Sequence, residues 1–135
     1  YNQGIAAAAS RLLPMSLAFW TATAAIIVVT AATLRATLRK QSLEVRIAKV
    51  LPLILLIEPL SWQHHYVFLL PTFVLLWRAC GMKKGTAFLF WLTYVLVSVN
   101  IKVPAQVAML PGSGVVLSHV FWGNLGVWWM ARRYL

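Results

Sequence analysis

The stretch Glu58-Pro59-Leu60-Ser61-Trp62-Gln63-His64-His65 holds one of the chain's two carboxylates and two of its three histidines. An imidazole, with an unperturbed pKa of about 6.5, can donate a proton, accept one or pair with a phosphate. A carboxylate beside it makes a small acid–base group. Glu58 and the histidines could instead bond one another and only hold a hairpin together. His64 and His65 are adjacent, so on a helix they diverge and poorly suit a single metal. No Cys, Asp or third His stands at a ligand spacing, and no metal or cofactor is expected. A second polar cluster is Tyr1-Asn2-Gln3-Gly4, followed by Arg11. The amides of Asn2 and Gln3 offer donors and acceptors to sugar hydroxyls, and Arg11 suits a phosphate. The plainer alternative is a helix start with a snorkelling arginine. His119 is expected as a buried, hydrogen-bonded residue. The chain has no Gly-rich phosphate loop, nucleophile elbow or Ser-His-Asp set, and its lone Cys80 cannot close an intrachain disulfide.

The elements that must position these residues are strongly apolar. Of 135 residues 61% are hydrophobic and only 10% charged, with a mean hydropathy of +0.80. A soluble chain of this size has too little interior to hide that surface, which points to an all-α integral membrane bundle. The apolar blocks lie at about 12–34, 50–77, 86–101 and 115–130. A crossing of the ~30 Å hydrocarbon core takes about 20 residues. The second block is too long for one crossing and would bury Glu58, Pro59 and both histidines at mid-membrane, a costly arrangement. Divided at 58–65 it becomes two short arms, a hairpin whose polar tip lies recessed, where irregular backbone must face protein or a water-filled cavity.

The bases favour that division. Arg35, Arg39, Lys40, Arg46 and Lys49, then Arg78, Lys83 and Lys84, then Arg132 and Arg133 all fall on one face if the block is a hairpin. Only Arg11 and Lys102 are left opposite. By the positive-inside rule this gives about five transmembrane helices, helices two and three forming the hairpin. It gives a multi-pass cell-membrane protein with a cytoplasmic C-terminus and an outward 58–65 tip. The net charge of +10 then reflects orientation and attraction to membrane lipids rather than nucleic-acid binding. Trp20, Trp77, Trp91, Trp122, Trp128 and Trp129 suit interfacial belts. Ala18, Ala22, Ala25, Ala31 and Ala32 suit close helix packing. Pro104, Pro111, Gly112 and Gly114 mark 101–113 as a loop. Residues 1–135 are read as a single transmembrane region, the C-terminal part of a longer polypeptide.

The motif Pro59-Leu60-Ser61-Trp62-Gln63-His64-His65 resembles the Pro-hydrophobic-Ser-Trp-x-His-His signature of glycosyltransferase family 87, polyprenyl-phosphate-mannose-dependent α-mannosyltransferases of the GT-C type. Asn2, Gln3 and Arg11 match the family's upstream Asn-Gln-Ser…Gly…Arg stretch. Gly4 stands where Ser is usual, and Ala7 or Ala8 where Gly is usual. The resemblance implies transfer of a hexose, mannose in this family, from a polyprenyl-phosphate sugar donor to a glycolipid or glycan acceptor on the outer face. It implies that His64 or His65 lies near the acceptor hydroxyl and the donor phosphate. Ser61 and Trp62 would shape the pocket, and Asn2, Gln3, Arg11 and Glu58 would line it. The family's catalytic Asp lies on an early outward loop, and this chain contains no Asp, so the resemblance implies a fragment inactive alone. A transporter or structural membrane subunit, with the broken hairpin as a polar solute site, is the alternative from another class.

Overall fold

The computed structural model describes residues 3–58, 63–80, 83–99, 106, 110 and 112–135, with the backbone alone for Gln63, His64 and Lys84. Among the described residues every extended element is helical: α1 (Ile5–Leu12), α2 (Met15–Thr37), α3 (Leu43–Ile57), a 3₁₀ segment (Gln63–Leu69) running into α4 (Leu70–Ala79), α5 (Lys84–Ser98), α6 (Ser113–Leu117) and α7 (His119–Tyr134). Helix α2, 23 residues long with an 18-residue window of mean hydropathy 1.9, is the one described helix long and apolar enough to cross a membrane by itself.

Local chemistry sets the boundaries. Pro14 ends the turn from α1 and precedes the first residue of α2. The expected first block, 12–34, therefore starts three residues late. The preceding polar segment is itself a short helix, with Ile5 and Ala8 buried. Ser42 caps α3, its hydroxyl accepting from the Val45 amide. Glu44 sits in that first turn, and the Ser42 hydroxyl, followed by its own backbone amide, holds its carboxyl below the usual range. The expected fourth block divides at Ser118 into α6 and α7. Gly112, at φ 84°, takes the left-handed turn that opens α6.

The long elements alternate in direction. Glu58 faces His65 and the Ala48 carbonyl accepts from the Thr72 hydroxyl, so α3 and the 63–79 arm form an antiparallel hairpin. Val99 pairs with His119 and Thr93 meets Gly126, so α5 and α7 are antiparallel. Thr33 accepts from the Trp128 indole, while Ala22 and Phe121 share a cluster, so α2 and α7 run parallel. Arg35 and Arg39, the start of α3, the α4–α5 connection with Arg78 and Lys83, and Arg132 and Arg133 consequently share one end of the bundle. Lys49, inside α3 and buried, reaches toward that end and donates to Gln41 Oε1 at 2.6 Å.

Two apolar clusters make the core. One joins the hairpin to α5 and α7 around Leu69, Leu76, Val120, Val127 and Met130. The other joins α1, α2 and α3 to α7 around Ala8, Ala22, Leu56 and Trp128. Ala18 and Ala22 are buried as expected of packing residues, whereas Ala31 is exposed. Close approach is also found where no alanine lies: a Cβ on Gly123 would sit 2.8 Å from Leu96 Cβ, and one on Gly126 would overlap Thr93 Cγ2. These glycines let α7 settle directly on α5. Trp128 also departs from the expected belt. It is buried, hydrogen-bonded to Thr33 at 2.8 Å and covered by Arg132, 4.7 Å from its ring. The other five belt tryptophans are exposed.

A polar layer crosses the middle of the bundle. Pro52, within α3, has no N–H for the Ala48 carbonyl four residues back. The Thr72 hydroxyl on α4 fills that gap at 3.0 Å. The Pro52 carbonyl accepts from the Asn124 amide on α7 at 3.2 Å. Thr72 and Asn124 are both fully buried, so a neighbouring helix satisfies each backbone group near the proline.

Candidate functional site

The end of the bundle opposite the basic cluster collects the end of α3, the 3₁₀ segment, the end of α5, α1 and the α6–α7 junction. Glu58 is the C-cap of α3 and has left helical geometry, at φ −64° and ψ 124°. His65 stands on the 3₁₀ segment across from it. Its Nδ1 lies 3.9 Å from Glu58 Oε2, and both side chains are partly exposed. That separation exceeds a direct hydrogen bond. The pair lines a cavity of about 290 Å³ with Leu51, Ile54, Leu55 and Phe68. A carboxylate and an imidazole at the mouth of an apolar cavity can relay a proton or orient a polar group there.

The N-terminal segment packs against the same end. A Cβ on Gly4 would lie 2.5 Å from the Glu58 carbonyl oxygen and 3.2 Å from that of Leu56. Only glycine lets the chain pass so close to the end of α3. Gln3 is buried; its Nε2 donates to the Leu117 carbonyl at 3.2 Å, and its backbone carbonyl accepts from the Tyr66 hydroxyl at 3.4 Å. Arg11 turns to the α6–α7 junction, where Nε donates to Ser118 Oγ at 3.0 Å. Burial pulls its guanidinium below the ordinary value, with Tyr66 acting in the other direction; an arginine remains cationic nonetheless. A Cβ on Gly114 would meet the Arg11 carbonyl at 2.7 Å, so α6 lies directly on α1.

The expected site residues therefore fall into three sets. Glu58 and His65 face each other, with Gly4 and Tyr66 beside them. Gln3 and Arg11 are at the same end but anchor α1 to Leu117 and Ser118. Asn2, Ser61 and Trp62 lie outside the described residues, as does the side chain of His64. His119 is buried at this end, with Nδ1 2.9 Å from the Val116 carbonyl and Nε2 2.9 Å from that of Val99. It joins the α5 terminus to α7. Among the described residues no three His, Cys, Asp or Glu side chains come together. Tyr66 and Ser118 belong to the cluster and went unremarked in the sequence. Their signal was slight: each is a polar residue next to a histidine, inside or at the edge of an apolar block.

No protein-family model, curated protein or solved structure matches the chain.

Proposed function

We propose that the chain forms part of a multi-pass membrane glycosyltransferase, supplying one wall of an outward-facing site where a hexose moves from a polyprenyl-phosphate donor to a glycolipid or glycan acceptor. The bundle lies in the cell membrane with its basic end, and the C-terminus, in the cytoplasm. Helix α2, with 23 residues and a length of about 35 Å, spans alone. The hairpin arms, α5 and α7 are shorter and sit in a locally thinned or water-penetrated region. Mannose is the sugar by resemblance to glycosyltransferase family 87.

The observation that carries this reading is the Glu58–His65 pair at 3.9 Å at the mouth of an apolar cavity, on the end remote from the basic cluster. A lipid-linked donor needs a site open both to bilayer and to water. It needs a proton relay for the acceptor hydroxyl and donors for the departing phosphate. His65 serves the relay with Glu58 orienting its ring, and by the resemblance His64 or His65 serves the donor phosphate.

The test is transfer of mannose from polyprenyl-phosphate mannose by the full-length protein in membranes. His64→Ala and His65→Ala are each expected to cut transfer by about 100-fold or more while membrane expression persists. Wild-type transfer in both variants would refute the role of the motif.

A further inference from the structure

A larger cavity lies away from this site. It is a cleft of about 550 Å³ between α4 and α5. Phe73 and Trp77 on one side and Phe90, Trp91 and Tyr94 on the other wall it, and Arg78 stands at one end. The rings meet edge to face: Phe73–Tyr94 at 5.3 Å, Trp77–Phe90 at 5.5 Å and Trp77–Trp91 at 5.8 Å between centroids. A second cavity of about 240 Å³ shares Leu70, Phe73 and Tyr94 with it and carries the furrow on to Tyr66 and Ser98. From Arg78 to Tyr66 the furrow runs about 20 Å, at the α-helical rise along α4 and the 3₁₀ rise beyond it. One leaflet of a ~30 Å hydrocarbon core is about 15 Å deep.

The ends of the furrow differ in charge. Arg78 is exposed, and Lys83 follows it, also exposed, in the α4–α5 connection. Of the chain's two acidic residues Glu58 is at the opposite end, while Glu44, on the first turn of α3, shares the basic end with Arg78 and the more numerous cations there. A furrow one leaflet deep, apolar and aromatic along its length and cationic at its basic end has the outline of a single phospholipid.

We propose that the α4–α5 cleft binds one anionic phospholipid of the cytoplasmic leaflet, with an acyl chain laid along the aromatic wall and the phosphate held by Arg78. This rests on the membrane reading above but not on sugar transfer. The ligand differs from the polyprenyl donor in leaflet and in site. A guanidinium grips a phosphate through two parallel N–H donors, so glutamine at position 78 loses both the charge and the fork.

Tail-brominated lipids quench tryptophan on contact, and Trp77 and Trp91 are built into the wall. The experiment reconstitutes the full-length protein in phosphatidylcholine vesicles doped with tail-brominated phosphatidylglycerol or, at equal fraction, tail-brominated phosphatidylcholine. Quenching by the anionic lipid is expected to exceed that by the zwitterionic lipid at least twofold. The excess should vanish in Arg78→Gln and in Trp77→Phe/Trp91→Phe, and mannose transfer by Arg78→Gln should stay at the wild-type level. Equal quenching by both lipids, or an excess that survives Arg78→Gln, overturns the proposal. So does a cleft whose two tryptophans escape both lipids, the sign that another segment or a second copy fills it. The remaining tryptophans of Trp77→Phe/Trp91→Phe report on the membrane reading separately. If neither lipid quenches them, the bundle is not in the bilayer and that reading fails with the proposal. If both quench them equally while the cleft shows no preference, the lipid site alone fails.

Discussion

Two polar regions interrupt this apolar bundle, and they are built in opposite ways. In the middle, Pro52, Thr72 and Asn124 form a layer with no exposed side chain, in which each backbone group near the proline finds a donor on another helix. At the end, Glu58 and His65 stand 3.9 Å apart, partly exposed, on the rim of a cavity. The first region spends its polar groups on holding three helices in register. The second sets them beside a cavity. Polarity in an apolar chain is thus no sign of function by itself; what distinguishes the two regions is whether the polar side chains are enclosed between helices or partly exposed beside a cavity.

Substitutions should divide along the same line. The largest effect is expected at the rim. His65→Ala lowers transfer by about 100-fold, the low end for loss of a general acid–base group, with unchanged thermal stability in detergent. Next comes the middle layer. Asn124→Leu strips the donor from the Pro52 carbonyl, and Thr72→Val strips it from the Ala48 carbonyl. Each should cost about 1–3 kcal/mol of stability, read as a fall in melting temperature, with transfer per folded molecule retained. Pro52→Ala restores an N–H to the Ala48 carbonyl, so it should recover most of the Thr72→Val loss; a double-mutant cycle measures the coupling. Gly126→Ala tests tight packing without polarity. The new methyl overlaps Thr93 Cγ2, for an expected loss of about 1–3 kcal/mol that Thr93→Ser relieves. The smallest stability effect is expected of Glu58→Gln. A partly exposed pair is worth at most about 1 kcal/mol, so this variant should melt as wild type and lose transfer less than His65→Ala does. A large drop in melting temperature there would make the rim a second structural layer.

The hairpin was legible in the sequence because Glu58, Pro59 and two histidines in one apolar run are hard to place otherwise. The shared end of the basic residues followed from it, and the contacts between helices place the described ones together. The middle layer was harder to see. Thr72 and Asn124 are single polar residues in long apolar stretches, and their meaning depends on Pro52, distant in sequence and adjacent only in the fold. Trp128 misled for a related reason: an indole near a helix end suits a membrane interface, but only the position of Thr33 reveals that its N–H has a partner inside. The break at Ser118 separates helices that hydropathy alone joins, since it does not lower the apolar content of its block enough to register, and Pro14 starts α2 inside the first block. At the rim, the sequence selected Glu58 and His65 together with Gln3 and Arg11. It could not say that the latter two point toward Leu117 and Ser118, because that depends on where the last helix lies.

The bonds of Gln3 to Leu117 and of Arg11 to Ser118 join the two ends of the chain across 114 and 107 positions. A ribosome adding about 5–20 residues per second needs roughly 5–25 s between making one partner and making the other. For that interval α1 has only α2, the hairpin and Tyr66 to rest on, and the end that carries Glu58 and His65 lacks one of its sides. The rim is therefore finished last, after the hairpin already exists. A chain stopped before residue 117 should keep the hairpin in place yet leave α1 open to protease, whereas one that continues through α7 should protect it.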